Sequence, residues 1–345
     1  MQYSLDNRSL TPARTSTICA RACWLVAIGF ALSAFAQDQT APTNQGNFDP
    51  VQGQPAPARG GRGARAPRAG GAAAPAAIQA HSPRDDQGGW TPGEFASANP
   101  KLPSLIVAGD STASTGDPAH RGWAALLVDY FDTNKVNLIN RARGGRSFRT
   151  FVFEGLWPQI VNALKPGDFV VIEFGHNDMG SITDAKGRAD LPGLGDETQA
   201  VPRNGTNEIV HTFGWYLRTF VRDVKAKGAT PIVSSSTIRN IWNNGKVERG
   251  LGRPPVWDKQ IADEEKVPFL DHSSIIADLY QQMGQTNVAA FFPGDHTHTS
   301  TDGASKNAEL FIAGLKSLPG QPLVGFLNAR GQTLAPYKPA AAPAP

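Results

Sequence analysis

Five short apolar runs recur along the chain: Ser104 to Ala108, Val136 to Asn140, Asp168 to Phe174, Thr230 to Ser235 and the weaker Val267 to Asp271. They are almost continuous in Val, Ile, Leu and Phe rather than alternating, the pattern of strands buried on both faces. Longer stretches suited to helices separate or follow them: Gly122 to Phe131, Asn207 to Lys227, His272 to Gly284 and Thr301 to Ser317. In the second of these, Trp215, Leu217, Phe220, Val221 and Val224 return at helical spacing, which marks a core-facing stripe rather than a ligand site. Strand and helix in alternation predict an α/β fold, a five-stranded parallel sheet covered by helices on both faces. In such a sheet ligands bind beyond the carboxyl ends of the strands, so chemistry is expected just after the apolar runs.

The ends of the chain read differently. Arg8, Arg14 and Arg21 precede the apolar run Trp24 to Leu32, and Ala34-Phe35-Ala36 follows, as in a secretory signal with its cleavage site, residues 1–36. That run is shorter than the ~20 residues needed to span a bilayer, so no stable membrane insertion is expected after cleavage. Residues 37–97 are rich in Ala, Pro, Gly and Arg with few large apolar side chains, and are expected to form a disordered linker. The folded domain is expected over 98–328, with 329–345 a frayed Ala/Pro tail.

Charge changes the picture little. Of 33 Lys+Arg and 30 Asp+Glu, eight and five fall in residues 1 to 88, leaving 25 of each for the remainder. The net +3 therefore belongs to the leader and linker, and no nucleic-acid partner is expected. The two cysteines, Cys19 and Cys23, both precede the expected cleavage point, which removes disulfides and thiol chemistry from the mature protein.

Four loops carry candidate chemistry. Gly109-Asp110-Ser111-Thr112 follows the first strand and presents a hydroxyl where the chain turns toward a helix. Arg143-Gly-Gly-Arg-Ser-Phe-Arg149 follows the second, with glycines that let backbone N–H groups approach a ligand. Gly175-His-Asn-Asp178 follows the third and places the Asn177 amide, a possible oxyanion donor, at the same rim. Asp295-His-Thr-His298 precedes the last helix, with spacing that lets the Asp295 carboxylate hold the Nδ1 proton of His298 and leave Nε2 as a base. A zinc site would want a further protein ligand, so neither metal nor cofactor is expected.

Taken together, Gly-Asp-Ser, the Gly145 turn, Gly-x-Asn-Asp and Asp-x-x-His resemble the four sequence blocks of the SGNH/GDSL hydrolases, in the family's order, across residues 104 to 318. The spellings Gly145-Arg-Ser-Phe-Arg149, Gly175-His-Asn-Asp178 and Asp295-His-Thr-His-Thr-Ser300 resemble those of the rhamnogalacturonan acetylesterases within it. The resemblance implies a three-layer α/β/α flavodoxin-like fold. It implies Ser111 as nucleophile, His298 as general base and Asp295 as its orienter. The oxyanion hole would comprise the Ser111 and Gly145 N–H groups and the Asn177 side chain. The implied substrate is an acetylated plant cell-wall polysaccharide, met outside the cell or in the periplasm.

Arg146, Arg149 and His176 share these rim loops; an arginine fork could hold a galacturonate carboxylate, or the same side chains could brace the loops. The stretch Ser181 to Gly205 lies outside the family blocks and is placed to reshape a substrate groove. Two other readings stay open: an esterase acting on another polysaccharide or on small esters, and a non-catalytic carbohydrate-binding or wall-tethered protein. The pattern does not define an oligomeric state.

Overall fold

Strand β1 (Ser104–Gly109) lies between β2 (Asn137–Asn140) and β3 (Phe169–Glu173), with β6 (Thr230–Ser234) and β9 (Phe269–Leu270) completing one parallel sheet. The computed structural model describes residues 98 to 339 except 204 and 251, so the expected signal and linker lie outside the described residues. The order β2-β1-β3-β6-β9 reverses direction at β1, the switch point of an open α/β sheet, where the loops after β1 and β3 frame a crevice.

The near-continuous apolar runs follow from burial on both faces. Ile106, Ala108, Val170, Ile172 and Val233 pack against α1 (Phe148–Phe153), α2 (Leu156–Ala163), α3 (Phe213–Ala226) and α4 (Pro254–Glu265). Their neighbours Leu105, Val107, Val171, Ile232 and Leu270 face α5 (His272–Met283), α7 (Thr301–Leu315) and the 3-10 helix Trp123–Asp129. Successive strand residues point to opposite faces, so one sheet carries both cores and the expected three layers result. The α1–α3 layer is dense in aromatics: Trp157 stacks on Phe220 with ring centroids 3.7 Å apart, and Phe148 meets Phe213 and Phe220 edge-on at 5.1 Å. Burying each such side chain contributes roughly 1.5–3 kcal/mol.

Three expectations are corrected. The helix expected from Asn207 begins only at Phe213, because residues 206–211 form β5 (Thr206–His211), an antiparallel partner of β4 (Thr198–Arg203). Gly205, at φ 81°, turns that hairpin, and Thr212 sets the helix start by accepting from Trp215 N at 3.0 Å. The helix expected from Gly122 to Phe131 is shortened to the 3-10 helix Trp123–Asp129. The frayed end expected from Ala329 forms α8 (Ala329–Thr333), capped by Asn328, whose Oδ1 accepts from Gly331 N at 3.0 Å. Leu334 and Tyr337 then pack on the core, Tyr337 N donates to Ala313 O at 2.9 Å and Lys316 Nζ donates to Gln332 O at 2.7 Å, so apolar and polar contacts together dock a segment that composition marks as loose. Helix α4 buries Pro254, Trp257, Ile261 and Ala262, but its stripe is short and interrupted by the buried carboxyl of Asp258.

Two short strands, β7 (Trp242–Asn243) and β8 (Lys246–Val247), α6 (Gln285–Ala289) and a second 3-10 helix (Val324–Phe326) are the remaining described elements. Of these, β7, β8 and α6 flank a smaller apolar cluster of Ile238, Val247, Ile276, Tyr280, Val288 and Phe292 beside the loop that leads to Asp295. No described helix is long and apolar enough to cross a membrane.

Candidate active site

Gly109 ends β1 because nothing larger fits: a Cβ there would lie 2.8 Å from the Glu173 carbonyl. The chain then turns, and Asp110, fully buried, holds the turn by accepting from Thr112 N and Thr112 Oγ1, each at 2.9 Å. Its other oxygen accepts from His176 N at 3.3 Å, which ties the loop after β1 to the loop after β3. Ser111, between these anchors, is left partly exposed at the rim.

Ser111 Oγ lies 2.8 Å from His298 Nε2, and His298 Nδ1 lies 2.7 Å from Asp295 Oδ2. The Asp295 carboxylate also accepts from Thr297 N at 2.6 Å and His298 N at 2.7 Å. Partial burial pushes its carboxyl up, but the ring and backbone hydrogen bonds outweigh this and hold it down at about 2. Asp295 is therefore ionised at neutral pH, which places the shared proton on Nδ1 and leaves Nε2 to accept from the serine. The loop is fastened at both ends: Arg121 N donates to Thr299 O at 2.8 Å, Asn240 N donates to His296 O at 2.7 Å, and Ser300 caps α7.

The loop after β2 delivers Gly145 at φ 74°, a left-handed backbone suited to glycine. Ser147 then caps α1 reciprocally: Ser147 N donates to Thr150 Oγ1 at 2.7 Å, and Thr150 N donates to Ser147 Oγ at 3.2 Å. Asn177 Nδ2 donates to Arg146 O at 2.8 Å, joining this loop to the one after β3. All three expected oxyanion contributors, Ser111, Gly145 and Asn177, thus stand on loops that are hydrogen-bonded to one another.

The three side chains considered for substrate contact fare differently. Arg149 is corrected: it is 1% exposed, and its fork grips Glu208 of β5 bidentately at 3.0 and 2.8 Å while Nη1 donates to the Ile182 and Ala189 carbonyls. A guanidinium spent on the protein's own carboxylate has no fork left for a substrate. Arg146 is bound to Glu154 Oε2 at 3.0 Å and Gly144 O at 2.8 Å, so it braces its loop. His176 Nε2 lies 3.4 Å from Thr237 Oγ1; burial lowers its pKa, with the Asp110 charge opposing, and it behaves as a neutral brace.

Several residues at the site were not read from the sequence. Arg188, in the Ser181 to Gly205 stretch, donates from Nη1 to Asn177 Oδ1 at 2.7 Å. His120 meets His298 edge to face with ring centroids 5.5 Å apart, and its Nδ1 lies 3.2 Å from Asp117. Asp117-x-x-His120 repeats the spacing of Asp295-x-x-His298, a signal available in the sequence. Glu173, the last residue of β3, accepts from Trp123 Nε1 at 2.5 Å, and its other oxygen lies 3.2 Å from Thr112 Oγ1 beneath the serine turn. Burial and then the Asp110 charge push its carboxyl well above the usual range. Asp178 and Asp190 are a second set of buried carboxyls; burial raises both, and the Asp178 charge raises Asp190 further.

The chain matches the GDSL-like lipase/acylhydrolase family over residues 107–306. It is 38% identical over 209 residues to a rhamnogalacturonan acetylesterase of Emericella nidulans, covering 61% of this chain and 83% of that protein. It is 31% identical over 244 residues to the rhamnogalacturonan acetylesterase RhgT of Bacillus subtilis, covering 66% of this chain and 94% of that one. The crystal structure of the Bacillus subtilis protein YxiM shares the fold, with a TM-score of 0.51 at 24% identity over 62% of this chain and 56% of its own. The chain belongs to the GDSL-like lipase/acylhydrolase family and is a carboxylic ester hydrolase.

Proposed function

We propose that this protein is an exported carbohydrate acetylesterase that removes acetyl groups from pectic rhamnogalacturonan through an acetyl-enzyme on Ser111. The reading is carried by the continuous contact from Asp295 through His298 to Ser111, at 2.7 and 2.8 Å. Such a chain needs no rearrangement to transfer a proton and activate a hydroxyl. His298 Nε2 takes the Ser111 proton, Oγ attacks the acetyl carbonyl, and the sugar alcohol leaves with that proton. Water, deprotonated by the same nitrogen, then releases acetate. The negative oxygen of each tetrahedral intermediate is assigned to the Ser111 and Gly145 N–H groups and the second N–H of Asn177 Nδ2. Removing the last of these, in Asn177→Ala, is expected to lower turnover by ~10²–10³.

Two relatives named rhamnogalacturonan acetylesterase, each aligned over more than four fifths of its own length, support the pectic substrate. Export is supported by the basic, apolar and Ala-Phe-Ala segments of residues 1–36. The test is a panel of acetylated rhamnogalacturonan, acetylated xylan and an aryl acetate, with acetate release measured for each. Preference for the first by kcat/KM supports the full reading. Release from xylan alone would reject pectin while leaving acyl transfer in place.

A further inference from the structure

Asn177 can serve the proposed oxyanion hole only in one of its two amide orientations, because the oxygen would repel the developing charge that the nitrogen stabilises. We propose that Arg188 is the positioning residue that fixes this orientation and polarises the amide toward the reacting carbonyl. Its Nη1 donates to Asn177 Oδ1 at 2.7 Å, and a guanidinium, with donors only, can pair with the oxygen but never with the nitrogen. Nδ2 is thereby turned the other way, where one of its hydrogens goes to Arg146 O at 2.8 Å and the second remains for the substrate. A charge-assisted bond at the oxygen also draws electron density from the amide and strengthens the remaining N–H as a donor.

The same guanidinium stands against Gly145: a Cβ on that residue would lie 3.6 Å from Arg188 Nη1. The cation therefore neighbours two of the three groups assigned to the developing oxyanion.

What keeps Arg188 in place is its backbone. Ser147 Oγ donates to Arg188 O at 2.6 Å, Arg149 Nη1 donates to Ala189 O at 2.9 Å, and Asp190 N donates to Asp178 O at 2.8 Å. Three successive residues are thus stapled to the loops that carry Gly145 and Asn177. Their partners Ser147, Arg149 and Asp178 are all buried, which excludes the water that would otherwise compete. The stretch outside the family's sequence blocks so becomes part of the oxyanion machinery rather than only a wall of the groove.

This inference rests on the acyl transfer proposed above, and the experiment separates the two. Arg188→Met, Asn177→Ala and the double variant are assayed in the full chain on an aryl acetate and on acetylated rhamnogalacturonan, with melting temperatures recorded. Arg188→Met is expected to lose roughly 10–100-fold in kcat on both substrates, as when a partner behind a functional group is removed, with KM changed by less than about threefold. In the Asn177→Ala background the same change should cost less than about threefold more, because residues acting as a unit are not additive. Arg188→Lys, which keeps a donor and a cation, is expected to recover part of the loss and serves if the Met variant does not fold. Losses that multiply in the double variant, or a raised KM confined to the acidic polymer with kcat intact, would overturn the proposal. An unchanged kcat in Asn177→Ala would instead reject the oxyanion assignment itself, and this inference with it.

Discussion

The proposed acid–base end of the crevice and its proposed oxyanion end are held by different kinds of contact. At the first, Asp295 and His298 stand three residues apart and meet at 2.7 Å, and the Asp295 carboxylate is 41% exposed. At the second, Asn177 is held by Arg188, 11 residues on, and the surrounding wall depends on Arg149 gripping Glu208 across 59 residues of sequence in a buried pair. One end is a local turn fastened to the fold; the other exists only after a hairpin has docked. The difference teaches that this site has a part separable from stability and a part that is not.

If that comparison is right, substitutions at the two ends fail in different ways. The largest effect is expected from His298→Ala, which should lower kcat by at least ~10⁴ with a melting temperature close to that of the wild type. A large drop in stability would show that the acid–base end is also structural. Asp295→Asn should cost ~10³–10⁴ in kcat by removing the charge that orients Nδ1–H, again with little effect on folding. The carboxylate contributes stability above its ordinary pKa, and this is lost only as pH falls toward about 2. That contribution is fully present at neutral pH, but the pair is solvent-exposed and screened, so neutral-pH denaturation of Asp295→Asn should register no more than the loss of an exposed ion pair, and retained kcat would remove Asp295 from the mechanism.

At the other end, Glu208→Ala leaves the Arg149 guanidinium buried without its carboxylate, at an expected cost of ~3–5 kcal/mol in denaturant unfolding. A loss below ~1 kcal/mol would mean that the hairpin is held by something else. The smallest effect concerns Asp178 and Asp190. Because burial raises both carboxyls, the folded protein keeps protons that the unfolded chain has released, so stability falls as pH rises from the ordinary carboxylate range through about 7. Asp190→Asn removes part of that titration and should flatten the decline of melting temperature between pH ~5 and ~8 by a few degrees. Parallel profiles for variant and wild type would show that the pair does not titrate as described.

The same contrast explains what was legible in the sequence. The central strands β1, β3 and β6 announced themselves because they are buried on both faces, and the meeting of Ser111, Asp295 and His298 was legible because strand ends and a three-residue spacing are local features. Arg149 was left open between two roles because an arginine beside a glycine turn looks the same whether its carboxylate partner comes from substrate or from Glu208. Nothing near position 149 names that partner. Arg188 escaped for the same reason: its partners Asn177 and Ser147 belong to other loops, and its own segment has no periodicity. The second strand of the hairpin was absorbed, from Asn207 on, into the following helix because Ile209 and Val210 before the Thr212 cap and Phe213 after it read as one apolar stretch.

The central claim is tested most directly by acetate release from acetylated rhamnogalacturonan by the wild type and by Ser111→Ala, with folding of both verified by melting temperature. The account predicts release by the wild type and its loss, by at least ~10⁴, in a variant that melts normally. Release at the wild-type rate from Ser111→Ala would contradict it.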